Sequence, residues 1–324
     1  MAATTATPPA QQLRAVSPFF TRYAWAVLAW NVVVVLWGAF VRATGSGAGC
    51  GSHWPLCNGE VTPRAPRIET IIEFTHRLTS GAALIGAVFL LVWAFRAFPR
   101  ASRVRRAATL SLALLFAEAL LGAGLVLFNY VAHDASLGRA VYLSLHLVNT
   151  QLLLAALTAT AWFSRPAGLA NEVRLPRLMI WTLPITLAVS VTGAIVALGD
   201  TLFPAASFTE GLRQDFSSNA HFLLRLRVLH PVLAIAAAIF ILIACFATLR
   251  RCLRPSTQIA AGIGAALVVA QLCAGALNVA LLAPVWMQIT HLLLANLLWI
   301  ALVIAVLDQD PRCAHRLFGQ PQRR

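Results

Sequence analysis

Glu73, His76 and Arg77 fall within a single stretch, IIEFTHR, at the opening of an apolar run that continues to residue 96. On a helix Glu73 and His76 are three apart and share a face, with Arg77 beside them. A carboxylate, an imidazole and a guanidinium at the mouth of a membrane helix are costly there and read as functional, the plain alternative being three side chains solvated among lipid headgroups. The stretch just before them, TGSGAGCGSHWPLCNG, is glycine-rich and carries Cys50 and Cys57. Two thiols so close together read as a loop staple or as a redox pair above the imidazole.

Four of the eight histidines lie inside apolar runs: His76, His146, His230 and His291. A lone membrane histidine usually makes a helix–helix hydrogen bond. Four of them, one on every second run, are harder to assign to packing. Each lies near the same end of its run, about 12 Å deep at most at 1.5 Å per residue. Imidazole pairs on facing helices at matched depth are what bis-histidine ligation of a haem iron requires, His76 with His146 and His230 with His291. Copper or zinc would call for three or four converging ligands, with thiolate or carboxylate help. His53, His133, His221 and His315 fall in loops or the tail, and only His53, between the two cysteines, invites a role.

Haem propionates need cationic partners near the interface, and Arg77, Arg225 and Arg227 are candidates, with headgroup anchoring as the alternative. Glu73, three residues before His76, has Arg227 at the matching place before His230. This asymmetry suggests that one haem is transformed and the other is held as an electron-transfer cofactor, with Glu73 accepting or relaying protons. Glu118 and Gln271, deeper in their runs, are expected to tie helices together. Cys50 and Cys57 face an oxidising compartment in which a disulfide persists, as a loop staple or as a redox device above His76. Cys245, Cys252, Cys273 and Cys313 lie in apolar runs or on the reducing side.

The elements that must position these groups are membrane spans. The 324 residues are 59% hydrophobic and only 11% charged, against about 25% charged in soluble domains. Eight runs are long enough to cross a bilayer, near 24–42, 72–96, 107–128, 139–163, 177–198, 222–248, 257–281 and 285–307. All 25 basic residues are arginine, and with the N-terminus inside, 17 of them fall on inner segments. The net charge of +14 is thus a topology signal that puts both termini in the cytoplasm, and nucleic acid is not an expected partner. Residues 1–22 show no signal-peptide pattern, so the first run is expected to stay as a span.

Gly38-Ala39-Phe40-Val41 in the first run matches Gly193-Ala194-Ile195-Val196 in the fifth, and the segment around Glu118 matches that around Gln271. The expected fold is an all-α integral membrane protein of eight transmembrane helices, arranged as two pseudo-symmetric parallel four-helix bundles. The expected halves are residues 24–165 and 166–308, between cytoplasmic tails at 1–23 and 309–324.

Gly38–Arg42, Thr44-Gly45-Ser46-Gly47, Trp54-Pro55-Leu56-Cys57-Asn58-Gly59, Glu73-Phe74-Thr75-His76-Arg77, Leu229-His230-Pro231 and the histidines at 146 and 291 together resemble the haem A synthases of bacterial and mitochondrial respiratory chains. The resemblance covers roughly 24–308. It implies oxidation of a methyl group of haem O to a formyl group by successive hydroxylations, giving haem A for a terminal oxidase. It also implies substrate haem between His76 and His146, a haem B cofactor between His230 and His291, and functional importance for Glu73. Cys50 and Cys57 match the cysteine pair of one subset of that family. Partners implied are a haem O synthase as supplier, an electron donor, the lipid bilayer and, as an open matter, further copies in a homo-oligomer. The expected location is the bacterial inner membrane, multi-pass, with the haem sites toward the periplasm. The rival reading is a quinol-linked dihaem electron-transfer protein without haem modification; a haem exporter or insertion chaperone is a third. Prenyl transfer is disfavoured, because the runs lack aspartate-rich diphosphate–magnesium motifs.

Overall fold

A bilayer offers no hydrogen bonds to a peptide backbone, so long apolar runs must close their own and become helices. The computed structural model describes residues 18–165, 177–251 and 255–308. Among these residues it is all helical: α1 (Pro18–Ala43), α2 (Ile68–Ala97), α3 (Arg103–Leu127), α4 (Leu137–Phe163), α5 (Arg177–Leu202), α6 (Phe208–Asp215), α7 (Phe222–Arg251), α8 (Pro255–Ala280) and α9 (Val285–Leu307). All but α6 are long and apolar enough to cross a membrane. The tails expected at 1–23 and 309–324, Cys252, Cys313 and the segment joining the two expected halves lie wholly or largely outside the described residues.

The helices run past the apolar segments read from the sequence. α1 begins six residues earlier and α2 four, because helical hydrogen bonding continues through the headgroup zone after hydrophobicity has ended. Serine hydroxyls start two spans: Ser102 accepts from Arg105 N–H before α3, and Ser136 from Arg139 N–H before α4. α6 lies within the expected loop 199–221, where it is capped by Ser207 and buries none of its residues.

α1 packs on α2 and α4, and α3 on both α2 and α4. α7 packs on α5 and α8, and α9 on both α5 and α8. Contact between the two sets runs chiefly through α4 against α5 and α9, and α1 against α9. α9 is shared between two cores. Its Trp299 and Val303 join Phe20, Leu90, Leu154 and Leu157, while its Leu298 and Leu302 join Met179, Ile241 and Ala261. Outward faces are apolar too: Ile85 and Phe89 on α2, and Ile235, Ile239 and Ile243 on α7, stand exposed as a lipid-facing surface requires.

Candidate functional site

The first turns of α2 are built around Glu73, buried with 4% of its surface exposed. Its Oε2 accepts the Cys50 N–H at 2.8 Å, and its Oε1 pairs with Arg77. Arg77 Nη1 donates in turn to the carbonyls of Leu56 at 2.7 Å and His53 at 2.8 Å. Thr70 Oγ1 donates to Gly49 O at 2.7 Å, and Gly49 lies so close to the Glu69 carbonyl that a Cβ there would collide with backbone. The loop 44–67 is therefore fastened to α2 by Thr70, Glu73 and Arg77. Cys50 and Cys57 form a disulfide across it, Cα to Cα 4.4 Å, and both are buried.

All four membrane histidines are half-buried, and each is met by a glycine from a neighbouring helix. A Cβ on Gly38 would stand 2.9 Å from His76 Cε1, one on Gly193 2.9 Å from His230 Cε1, and one on Gly275 3.2 Å from His291 Cε1. For Gly122 and His146 the distance is 3.9 Å. The repeated glycines seen in the sequence are thus shelves for imidazole rings, a role that sequence reading missed although the repeat marked their positions.

Three of the rings also meet a polar side chain. His146 Nδ1 lies 3.3 Å from Glu118 Oε1, and Glu118 is itself held by Asn149 Nδ2 at 2.6 Å and by the Thr150 hydroxyl. His230 Nδ1 is 2.8 Å from Thr192 Oγ1, and His291 Nε2 is 3.1 Å from Gln271 Nε2. Glu118 and Gln271 do tie helices together, as expected, but they do so against the histidines. Imidazoles that bind metal are commonly oriented in this way by a second polar group.

His76 on α2 and His146 on α4 belong to one set of four helices, and His230 on α7 and His291 on α9 to the other. Nδ1 of His76 and of His291 is buried without a hydrogen bond. No group of three His, Cys, Asp or Glu able to hold a metal ion occurs among the described residues. Paired imidazoles with glycine clearance beside them fit a planar group ligated by two nitrogens, and fit a three-ligand metal centre poorly.

The arginines have other partners. Arg227 Nη2 donates to the carbonyls of Phe203 at 2.8 Å and Gly199 at 3.1 Å, its Nε lies 2.7 Å from Asp200 Oδ1, and its Nη1 lies 3.4 Å from Asp215 Oδ1. Burial pushes the Asp215 carboxyl up from its usual range, against the opposing pull of Arg227. Arg225 is exposed and donates to Ser218 O at 3.2 Å. Arg77 and Arg227 therefore each clamp the loop beside their own histidine. Arg42, which the sequence marked only as part of a motif, reaches from α1 to α5 and α9.

Over 301 residues, or 91% of its length, the chain is 48% identical to a protoheme IX farnesyltransferase of Thermus thermophilus, of which the match covers 49%. It is 46% identical over 100 residues, 30% of this chain, to the heme A synthase of Halalkalibacterium halodurans, covering 33% of that protein, and a similar stretch matches the heme A synthase of Bacillus mycoides. The chain thus spans about half the length of the Thermus relative. The COX15-CtaA profile, described as cytochrome oxidase assembly protein, matches residues 21–303. A match across all eight candidate spans and all four membrane histidines places this chain in the COX15-CtaA family, the family of the heme A synthases.

Proposed function

We propose that this chain is a haem A synthase, an oxidoreductase that converts a methyl group of haem O to a formyl group. Two successive monooxygenase-type hydroxylations, each taking one oxygen atom from dioxygen with two electrons and two protons from a donor, give a diol whose loss of water leaves the formyl group. His76 and His146 hold the substrate haem, and His230 and His291 hold a haem B cofactor. Bound haem B supplies one-electron transfer. Residues 24–165 and 166–308 act as pseudo-symmetric parallel four-helix halves in the inner membrane. Both termini face the cytoplasm, and the histidines lie toward the periplasmic side.

The observation that carries this reading is the asymmetry between the two histidine pairs. His76 stands one turn from a buried carboxylate, Glu73, that is locked to a disulfide-bearing loop, whereas the matching place before His230 is Arg227. A cofactor held for electron transfer needs no acid or base, but each hydroxylation takes up protons and the dehydration of the diol moves another, which a nearby carboxylate can relay. Glu73 spends one bond on Cys50 N–H and one on Arg77, which leaves lone pairs on both oxygens for a proton. Thr192, Glu118 and Gln271 stand beside the rings of His230, His146 and His291 and would orient them.

The name of the Thermus relative raises prenyl transfer as a second reading. That reaction handles an allylic diphosphate, usually through magnesium held by carboxylates. The described aspartates, Asp134, Asp200, Asp215 and Asp308, are scattered along the chain, and Asp200 and Asp215 are already paired with Arg227. Oxidation remains the better reading, with a haem O synthase as the supplier of substrate.

Haem extracted from cells that express this chain together with a haem O synthase decides the matter. Haem A or a hydroxylated intermediate is the expected product. Haem O and haem B alone, from folded and haem-loaded protein, would replace the enzyme with a dihaem electron-transfer protein.

A further inference from the structure

We infer that Arg42 is a positioning residue that joins the two histidine sites across the seam between α1, α5 and α9. The inference rests on the haem reading above and goes beyond it. Arg42 lies in the last turn of α1, half-buried, and its guanidinium makes three short hydrogen bonds, all to the second set of helices. Nη1 donates to Ala197 O at 2.7 Å and to Thr201 Oγ1 at 2.8 Å, and Nη2 donates to Gln288 Oε1 at 2.8 Å.

Three of the four ends of this strap lie one helical turn from a residue of a histidine site. Gly38, the shelf of His76, precedes Arg42 by four residues, and Gly193, the shelf of His230, precedes Ala197 by four. Gln288 precedes His291 by three. The Gln288 amide nitrogen is used at Ala283 O, 2.7 Å away, so its oxygen is held toward Arg42. Thr201 follows Asp200, the partner of Arg227, which itself precedes His230 by three. A shift of Arg42 is therefore felt at both ligands of the second site.

The strap is single. In the register that aligns Gly38 with Gly193, the counterpart of Arg42 is Ala197, whose carbonyl Arg42 binds. A cation fork that meets a carbonyl, a hydroxyl and an amide oxygen at once is something lysine cannot reproduce, because its ammonium is a point charge. The consequence is that a side chain of the first half sets the surroundings of the haem in the second.

The test uses the full chain purified in detergent with its bound haem B. Wild type, Arg42→Met, Arg42→Lys, Gln288→Leu and the Arg42→Met/Gln288→Leu double variant are compared by the reduction potential and low-temperature EPR lines of that haem, and by thermal melting. Arg42→Met removes a positive charge and the tether, so the potential falls and the EPR lines move. Arg42→Lys and Gln288→Leu keep the charge, so the EPR lines move with a smaller change in potential. The double variant melts no lower than the worse single variant, because both substitutions cut the same strap. Unchanged EPR lines in folded, haem-loaded Arg42→Met and Gln288→Leu, or additive losses in melting, would overturn the inference. A wild-type protein without haem B would instead refute the haem reading, and the melting comparison would still judge the strap.

Discussion

Gln151 Nε2 donates a 3.1 Å hydrogen bond to Asn296 Oδ1, and each residue lies five positions beyond a membrane histidine, Gln151 after His146 and Asn296 after His291. Both side chains are buried almost completely. Trp299 Nε1 adds a 2.7 Å bond to the Gln151 carbonyl, so α9 grips α4 by side chain and by backbone. Gln151 Oε1 and Asn296 Nδ2 are an acceptor and a donor left without a hydrogen bond in this seam.

This pair is expected to behave as a unit. Gln151→Leu strands the whole Asn296 amide in an apolar seam and should cost about 1–2 kcal/mol. Gln151→Leu with Asn296→Leu removes both polar groups and should recover most of that loss. Melting in detergent compares the three variants with wild type. A double variant that falls by the sum of the two single losses would make each amide independent of the other.

The spans were legible because hydropathy is a local property and a bilayer accepts little else at that depth. The histidines stood out by type, and the disulfide by two cysteines close together in one glycine-rich loop. What the sequence withheld depends on which helices become neighbours. Gly38 and Gly193 stood out as a repeat, but their use as ring shelves appears only when α1 meets α2 and α5 meets α7. Arg227 precedes His230 by three residues, and that spacing does not foretell its bonds to the carbonyls and carboxylates of the 199–215 region. α6 is too short and too polar to register as more than loop. Arg42 could not be assigned a partner in advance, since its partners lie more than 150 residues away in sequence.

Glu73→Gln should still load haem and stall the oxidation. The substitution keeps an acceptor for Cys50 N–H but loses the charge that Arg77 answers. Arg77→Met separates the two duties of Glu73, because it frees the 53–56 carbonyls while leaving the carboxylate in place. Haem products are measured by chromatography, and protection of the loop by limited proteolysis. Normal haem A from Glu73→Gln would make Glu73 a loop anchor and nothing more.

Cys50→Ser should lower stability without abolishing haem binding. The disulfide closes a loop whose ends are seven residues apart in sequence, for which chain entropy gives about 2 kcal/mol. Hydrogen bonds from Cys50 N–H to Glu73 and from Thr70 to Gly49 do not depend on the sulfur atoms, so the loop loosens without detaching. Reductant applied to the wild type should reproduce the melting loss only after the loop has opened, because both cysteines are buried. Loss of all bound haem from Cys50→Ser would assign the disulfide to the haem site itself.

Gly193→Ala should disturb haem B as strongly as a conservative change can. Its new Cβ would stand 2.9 Å from His230 Cε1, closer than real side chains approach, so the ring must turn away from Thr192 or the helices must part. His230→Ala and His291→Ala remove a ligand each and should lose tightly bound haem B outright. Gly193→Ala should retain part of it, with a changed absorption and EPR spectrum, because the imidazole is present but misdirected. Gly81→Ala supplies the control, as nothing lies within 4 Å of the methyl it adds. Wild-type haem content and spectrum in His230→Ala and His291→Ala would remove haem B from the second site. A wild-type spectrum in Gly193→Ala alone would mean that the ring reaches the iron from an orientation in which it no longer rests on the glycine.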